Sequence, residues 1–479
     1  MKMASRHPGA KARRLAASRG RARGFTLVEL MIAVSVLIVI IIATSKIFGT
    51  AGKVTSLGQA TADVLQETTA IERQIRSDFE RLAQDGVFAI RCVSVRNDIN
   101  VSIGPLLNPA LPEDAMIRAD QLLFFTNTVQ GTQVYIESGG SNHKHQATAA
   151  RIYYGPAFQV PGAEILTVPA DAAINFNNGV QLFPWSQDPA PPSLEMFDPI
   201  TGASVGTVDG TQPLASQWLL ARQSVLLADD GGGTDFFLSS FTNSTAAIWD
   251  AAIRNSRRDI AASQLNDVRN AVTNFGNYDW PTQRFNIGNR LLFYPRAERV
   301  APSMARLDHS LTTNVLAGAC SSFIIDWTYE EGVGAAFNDQ GTFFAGFDVD
   351  TDPATGSPEH PWFGLDSDVD GNGDPDRGVF TYDSVTWWTG ADTIFFQNIE
   401  QYDPPGTVPV EVYEAIFGYN RDTPLDPTTG QPWDLAATGV GYTPWPSAIR
   451  ITMVLHDPAT KLEVGREVQF VMNLPKRVQ

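Results

Sequence analysis

Residues 24–46 read GFTLVELMIAVSVLIVIIIATSK, and the rest of the chain is placed by this stretch. From Phe25 to Ser45 there are 21 residues with a single charge, Glu29, and Lys46 closes the run. At about 1.5 Å per residue, a helix of that length roughly spans the hydrocarbon core of a bilayer. The residues before it hold Lys2, Arg6, Lys11, Arg13, Arg14, Arg19, Arg21 and Arg23 and no carboxylate. A basic flank stays cytoplasmic, so the expected topology is N-terminus inside and C-terminal body on the far side.

Glu29 is the anomaly, since a carboxylate inside an apolar span costs on the order of 3 kcal/mol unless something compensates it. A cut after Gly24 would give Phe25 a new α-amino group, and that group on a neighbouring copy can pair with Glu29. Three other readings explain less. An ordinary secretory signal, cut near Gly49-Thr50-Ala51, leaves Glu29 without a purpose. In a twin-arginine signal, the Arg13-Arg14 pair would stand too far from the apolar run. A plain single-span anchor makes Glu29 an accident.

Gly24, Phe25, Thr26, Leu27, Val28, Glu29 and Leu30 resemble the GFTLVEL signature of type IV prepilins and pseudopilins. The resemblance implies a leader, residues 1–24, removed between Gly24 and Phe25 by an inner-membrane prepilin peptidase, then N-methylation of Phe25 and use of Glu29 in subunit registry. It also implies the partners: other pilin or pseudopilin subunits, the inner membrane, and a secretion or pilus assembly platform. The chain would wait in the inner membrane with its body periplasmic, then enter a periplasmic pseudopilus or a surface pilus.

The helix is expected to run on to about Ala83. Leu57, Thr61, Val64, Thr68, Ile71, Ile75, Phe79 and Leu82 recur at steps of three or four, with Asp63, Glu67, Arg73 and Glu80 on the opposite face. Gly49, Gly52 and Gly58 are points where it could bend. After Asp85-Gly86, short apolar runs stand between turn residues: 87–95, 121–125, 133–136, 151–154, 290–294 and 321–328. Residues 448–455 (AIRITMVL) and 467–472 (EVQFVM) flank a turn-rich connector and read as a closing antiparallel hairpin. The fold class is therefore α+β: a long N-terminal helix, 25–84, packed on an antiparallel β-rich body, 85–479. Asp-Pro-x-Thr-Gly recurs at 198–202, 352–356 and 426–430 as turn chemistry.

The order of these pieces resembles the J-type minor pseudopilins of type II secretion and the PilW-like minor pilins. The residues that carry it are ERQIRSDFERL at the helix end, LLFFT, RIYYG and the Pro-Ser-Ala-Ile-Arg approach to the final hairpin. The chain is longer than that scaffold needs. The excess falls in two blocks, about 160–288, with an imperfect helical stripe over 244–275, and about 330–446, acidic and aromatic; both are expected to be inserted loops. They leave open a second function, a filament-tip adhesin or substrate-recruiting binding protein.

The formal charge of -17 hides a division. Removing the eight leader cations gives -17 - 8 = -25 for the remainder. Such a body repels phosphate backbones, which argues against a nucleic-acid partner and favours divalent cations. In DSDVDGNGDPD, residues 366–376, alternate Asp366, Asp368, Asp370, Asn372 and Asp374 can turn oxygens around Ca2+ while the glycines permit the bend. The pattern departs from an EF-hand at Arg377, which stands where the bidentate Glu belongs, and the alternative is a solvated acidic loop. Cys92 and Cys320 are the only cysteines: one disulfide in an oxidising compartment, or two buried thiols. His309 and His456 each adjoin an Asp, yet no nucleophile motif accompanies them, so an enzyme is not expected.

Overall fold

The computed structural model describes residues 26–83, 88–98, 106–132, 136–138, 141–143, 146–157, 173–174, 193–197, 204–209, 214–227, 259–261, 264–266, 268, 292, 294–297, 312–328, 362–365, 397–402, 410–417, 446–457, 462 and 464–475. The chain divides into a first unit, Met1–Gln59, and a second, Ala60–Gln479.

One helix, α1 (Leu27–Phe79), runs 53 residues without a break and passes straight through Gly49, Gly52 and Gly58. In the first unit its described residues are exposed almost throughout, including Leu30, Ile38, Ile42 and Phe48. Such an apolar surface suits lipid or other helices, and α1 is long and apolar enough to cross a membrane. In the second unit the helix is amphipathic. Val64, Thr68, Ile71, Ile75 and Phe79 are buried there, as their spacing predicts, and Asp78 is buried beside them.

The strands follow in chain order. The first group is β1 (Phe88–Arg96), β2 (Met116–Arg118), β3 (Gln121–Thr126), β4 (Gln130–Gly131), β5 (Ile136–Ser138), β6 (Ser141–His143), β7 (Gln146–Ala147) and β8 (Ala149–Pro156). Then come β9 (Ala173–Ile174), β10 (Ser193–Phe197), β11 (Ser204–Asp209), β12 (Leu220–Leu227), β13 (Ile260–Ala261), β14 (Val315–Ala317) and β15 (Cys320–Thr328). The last are β16 (Gln397–Tyr402), β17 (Val410–Phe417), β18 (Ala448–Leu455) and β19 (Arg466–Asn473).

Among the described residues, nine strands form the main sheet in the order β13-β12-β8-β3-β1-β17-β16, with β14 beside β12 and β2 beside β1. Every pairing in it is antiparallel except that of β12 with β13. A second sheet, β15-β18-β19, contains the closing hairpin in continuous register from Ala448↔Asn473 to Leu455↔Arg466. The two sheets meet where Ala119 bridges Phe323. Buried Asp120 completes this join: its carboxylate accepts Val93 N at 3.0 Å and Ile325 N at 2.8 Å, and Arg118 donates to both its oxygens at 3.0 and 2.6 Å.

One apolar cluster joins helix and sheets, from Val64, Ile71, Ile75 and Phe79 through Ile90, Phe124 and Ile152 to Ile325, Trp327, Ile449 and Ile451. Phe79 lies 4.5 Å from Phe124 between ring centroids and meets Phe88 edge-on at 6.2 Å. The chain leaving α1 is stitched at once to β3: Ala83 N donates to Phe125 O at 2.7 Å, and Asn127 N to Arg81 O at 3.0 Å.

The long helix, the α+β class and the closing hairpin agree with the sequence, although α1 ends at Phe79 rather than near Ala83 because Leu82 already bridges Thr126, and three further details differ. Both supposed loop blocks supply strands of the main sheet, β12 and β13 from the first and β16 and β17 from the second. β17 lies against β1 over eight residues, from Phe88↔Phe417 to Val95↔Val410. The helical stripe expected over 244–275 is interrupted by β13, because Ile260 pairs with Leu226; a helical bond reappears at Val268 N to Gln264 O, 3.3 Å. Of the run 290–294, the described Leu292 and Tyr294 are buried but belong to no strand. The three Asp-Pro-x-Thr-Gly segments lie outside the described residues.

Candidate functional site

The chemistry singled out by the sequence sits at the start of α1. A helix leaves its first N–H groups without partners, and Thr26, immediately before Leu27, is placed to cap them. Glu29 N donates to Thr26 Oγ1 at 3.3 Å, and Thr26 N donates back to Glu29 Oε2 at 3.0 Å. Thr26 Oγ1 also donates to the same carboxylate oxygen at 3.1 Å. This reciprocal capping box has Glu29 at the third helical position, where the positive end of the helix dipole favours an anion. The first helical backbone bond, Leu30 N to Thr26 O at 3.2 Å, follows directly.

The cap answers part of the Glu29 anomaly within one subunit. It engages Oε2 and leaves Oε1 without a hydrogen bond among the described residues. That oxygen can accept from a cation arriving from outside the helix. Further along, Ser35 Oγ returns to Met31 O at 2.8 Å, Thr44 Oγ1 to Ile40 O, and Thr50 Oγ1 to Lys46 O at 2.9 Å. These three hydroxyls are thus satisfied by their own helix, as a lipid environment requires of Ser35 and Thr44.

Gly24 and Phe25 lie outside the described residues, as do Asp366, Asp368, Asp370, Asn372 and Asp374. Among the described residues no group of three or more His, Cys, Asp or Glu side chains could hold a metal. The four residues preceding the Asp ladder are described. Phe363 pairs with Trp327 through bonds of 2.8 and 3.0 Å, and Arg118 Nη1 donates to Leu365 O.

A disulfide between Cys92 and Cys320 is not formed: both are free and buried. Cys92 Sγ faces Ile325 O at 3.8 Å, while Cys320 Sγ faces Ser322 O at 3.2 Å. Burial pushes the Cys320 thiol up to about 12 and the Cys92 thiol well above its usual range, so neither is a ready nucleophile.

Sequence reasoning missed Asp78. It is 1% exposed and accepts Tyr154 Oη at 2.5 Å and Arg222 Nε at 2.6 Å. The signal was present, because Asp78 stands seven residues after Ile71 and so shares the buried face.

Residues 19–45 match the family described as the prokaryotic N-terminal methylation motif. The chain therefore carries the signature of type IV prepilins and pseudopilins, and α1 is its membrane anchor. No curated protein and no solved structure matches the chain.

Proposed function

We propose that this chain is a minor pilin or pseudopilin, a structural subunit of a type II secretion pseudopilus or a type IV pilus rather than an enzyme. The observation that carries the reading is a coincidence of position. The methylation motif covers the same turn in which Glu29 caps the helix with one oxygen and leaves the other without a hydrogen bond among the described residues.

In the mechanism that follows, the leader keeps the N-terminus cytoplasmic and α1 stores the subunit in the inner membrane with its body periplasmic. Prepilin peptidase cuts between Gly24 and Phe25, and Phe25 is N-methylated. The new ammonium, brought by a neighbouring subunit at the assembly platform, meets Glu29 Oε1 and offsets the cost of burying the carboxylate among packed helices. The order of elements behind the helix supports the J-type or PilW-like subtype. Calcium held by Asp366, Asp368, Asp370, Asn372 and Asp374 is a structural part of the same proposal, supported by their alternation and by the body's net negative charge.

Replacing Glu29 by Ala is the test. Membrane insertion should persist while filament assembly fails, and filaments formed at the normal level by the variant would overturn the pairing.

A further inference from the structure

The last turns of α1 carry a charge for which filament insertion has no use. Asp78, one residue before the helix ends, is buried and fully engaged. Tyr154 Oη donates to Oδ2 at 2.5 Å and Arg222 Nε donates to the same oxygen at 2.6 Å. Arg222 Nη2 donates to Oδ1 at 3.0 Å, joined there by Gln74 Nε2 at 3.3 Å. Tyr154 belongs to β8 and Arg222 to β12, 76 and 144 residues further along the chain.

Stability alone is a poor reason for this arrangement. Desolvation largely offsets the attraction within a buried ion pair, and apolar side chains at the three positions would hold the helix as well. A two-pronged guanidinium–carboxylate contact adds fixed length and direction. Besides the apolar packing of its buried face and the bonds from Arg76 Nη2 to Val471 O at 3.2 Å and from Gly318 N to Glu67 Oε1 at 3.4 Å, a load along α1 has two directed routes into the main sheet. One is covalent, through Phe79 to Ala83, where pairing with β3 begins. The other leaves sideways at Asp78 into β8 and β12, which are paired over eight residues from Leu220↔Pro156 to Leu227↔Ala149. The second route enters the main sheet at two of its interior strands and spares the segment 80–83 from carrying the load alone.

We propose that Asp78, Arg222 and Tyr154 form a mechanical clamp that passes axial load from α1 into the β8/β12 pair, keeping the body folded while the helix is drawn out of lipid. The source of the load rests on the filament reading; the clamp itself does not. Asp78 is a positioning residue here, so its test must separate direction of load from loss of stability.

The experiment pulls the full chain in detergent micelles with optical tweezers, in two geometries. Handles sit either at the N-terminus and C-terminus, which loads α1, or at exposed Ala110 and the C-terminus, which bypasses it. Asp78→Asn should speed unfolding at fixed force about tenfold or more in the first geometry and by less than about twofold in the second. Asp326→Asn, which breaks the 2.9 Å pair with Arg450 in the second sheet, serves as a stability control and should act alike in both. Equal acceleration by Asp78→Asn in both geometries, or none in either, would overturn the clamp. If that variant does not fold, Tyr154→Phe removes one bond only and should show the same dependence on geometry at smaller size; its absence overturns the proposal equally. None of these readouts needs a filament, so failure of the Glu29 test would remove the filament reading and leave the clamp's result standing.

Discussion

Glu29 serves two masters, and its two oxygens separate them. Oε2 closes the capping box with Thr26, whereas Oε1 has no hydrogen bond among the described residues. Glutamine can close the same box without the charge. Glu29→Gln should therefore start the helix normally, with first-turn amide exchange as slow as in the wild type, yet assemble as poorly as Glu29→Ala. Thr26→Ala should speed that exchange, since losing a cap costs about 1 kcal/mol. The thiols give a pH prediction. In an unfolded chain a thiol ionises near 8.5, while burial raises Cys320 to about 12, so the folded state holds its proton more tightly. The stabilisation is fully present below about pH 8.5 and is lost as pH rises from there toward 12. Urea midpoints should fall over that range, and Cys320→Ala should flatten the slope. Gly155, at φ +152°, has Tyr153 Oη and Asp120 O within 2.8 Å of where a Cβ would stand, so Gly155→Ala should lower the melting temperature by more than a surface substitution does.

At the scale of elements, legibility followed periodicity. The buried face of α1 could be read from Val64 to Phe79 because steps of three and four persist over four turns. Phe79→Ala should cost about 3–5 kcal/mol in denaturant unfolding, because its ring meets both Phe88 and Phe124; a cost below 1 kcal/mol would contradict that packing. The closing hairpin was legible for the same reason in period two. β17 was not, although Val410–Phe417 (VEVYEAIF) contains strand-forming residues, because Pro404, Pro405, Pro409 and Gly418 made its surroundings read as loop. β13 is two residues held by a parallel pairing to β12, a long-range choice that no local pattern announces. Asp78 was hidden differently: its position placed it inside, while its charge argued for the surface, and the partners that decide the matter lie far along the chain.

For the whole molecule, the helix anchors the chain and the sheets recruit strands from nearly its full length. That bears on how a tip-binding role could be examined. Deleting residues 330–446 would remove β16 and β17 and leave β1 unpaired on one side, so lost binding would report lost structure. Point changes avoid this. Asp368→Asn combined with Asp370→Asn should erase any rise in melting temperature that Ca2+ gives over EDTA in the full chain in detergent, and a wild type that melts alike in both would remove calcium from the account. Filament assembly depends on one processing step, whose products differ in mass. Mass spectrometry of the mature N-terminus is the most direct test: the account predicts a chain beginning at Phe25 and bearing one N-methyl group, and a retained leader or a cut after the apolar run near Ala51 would contradict it.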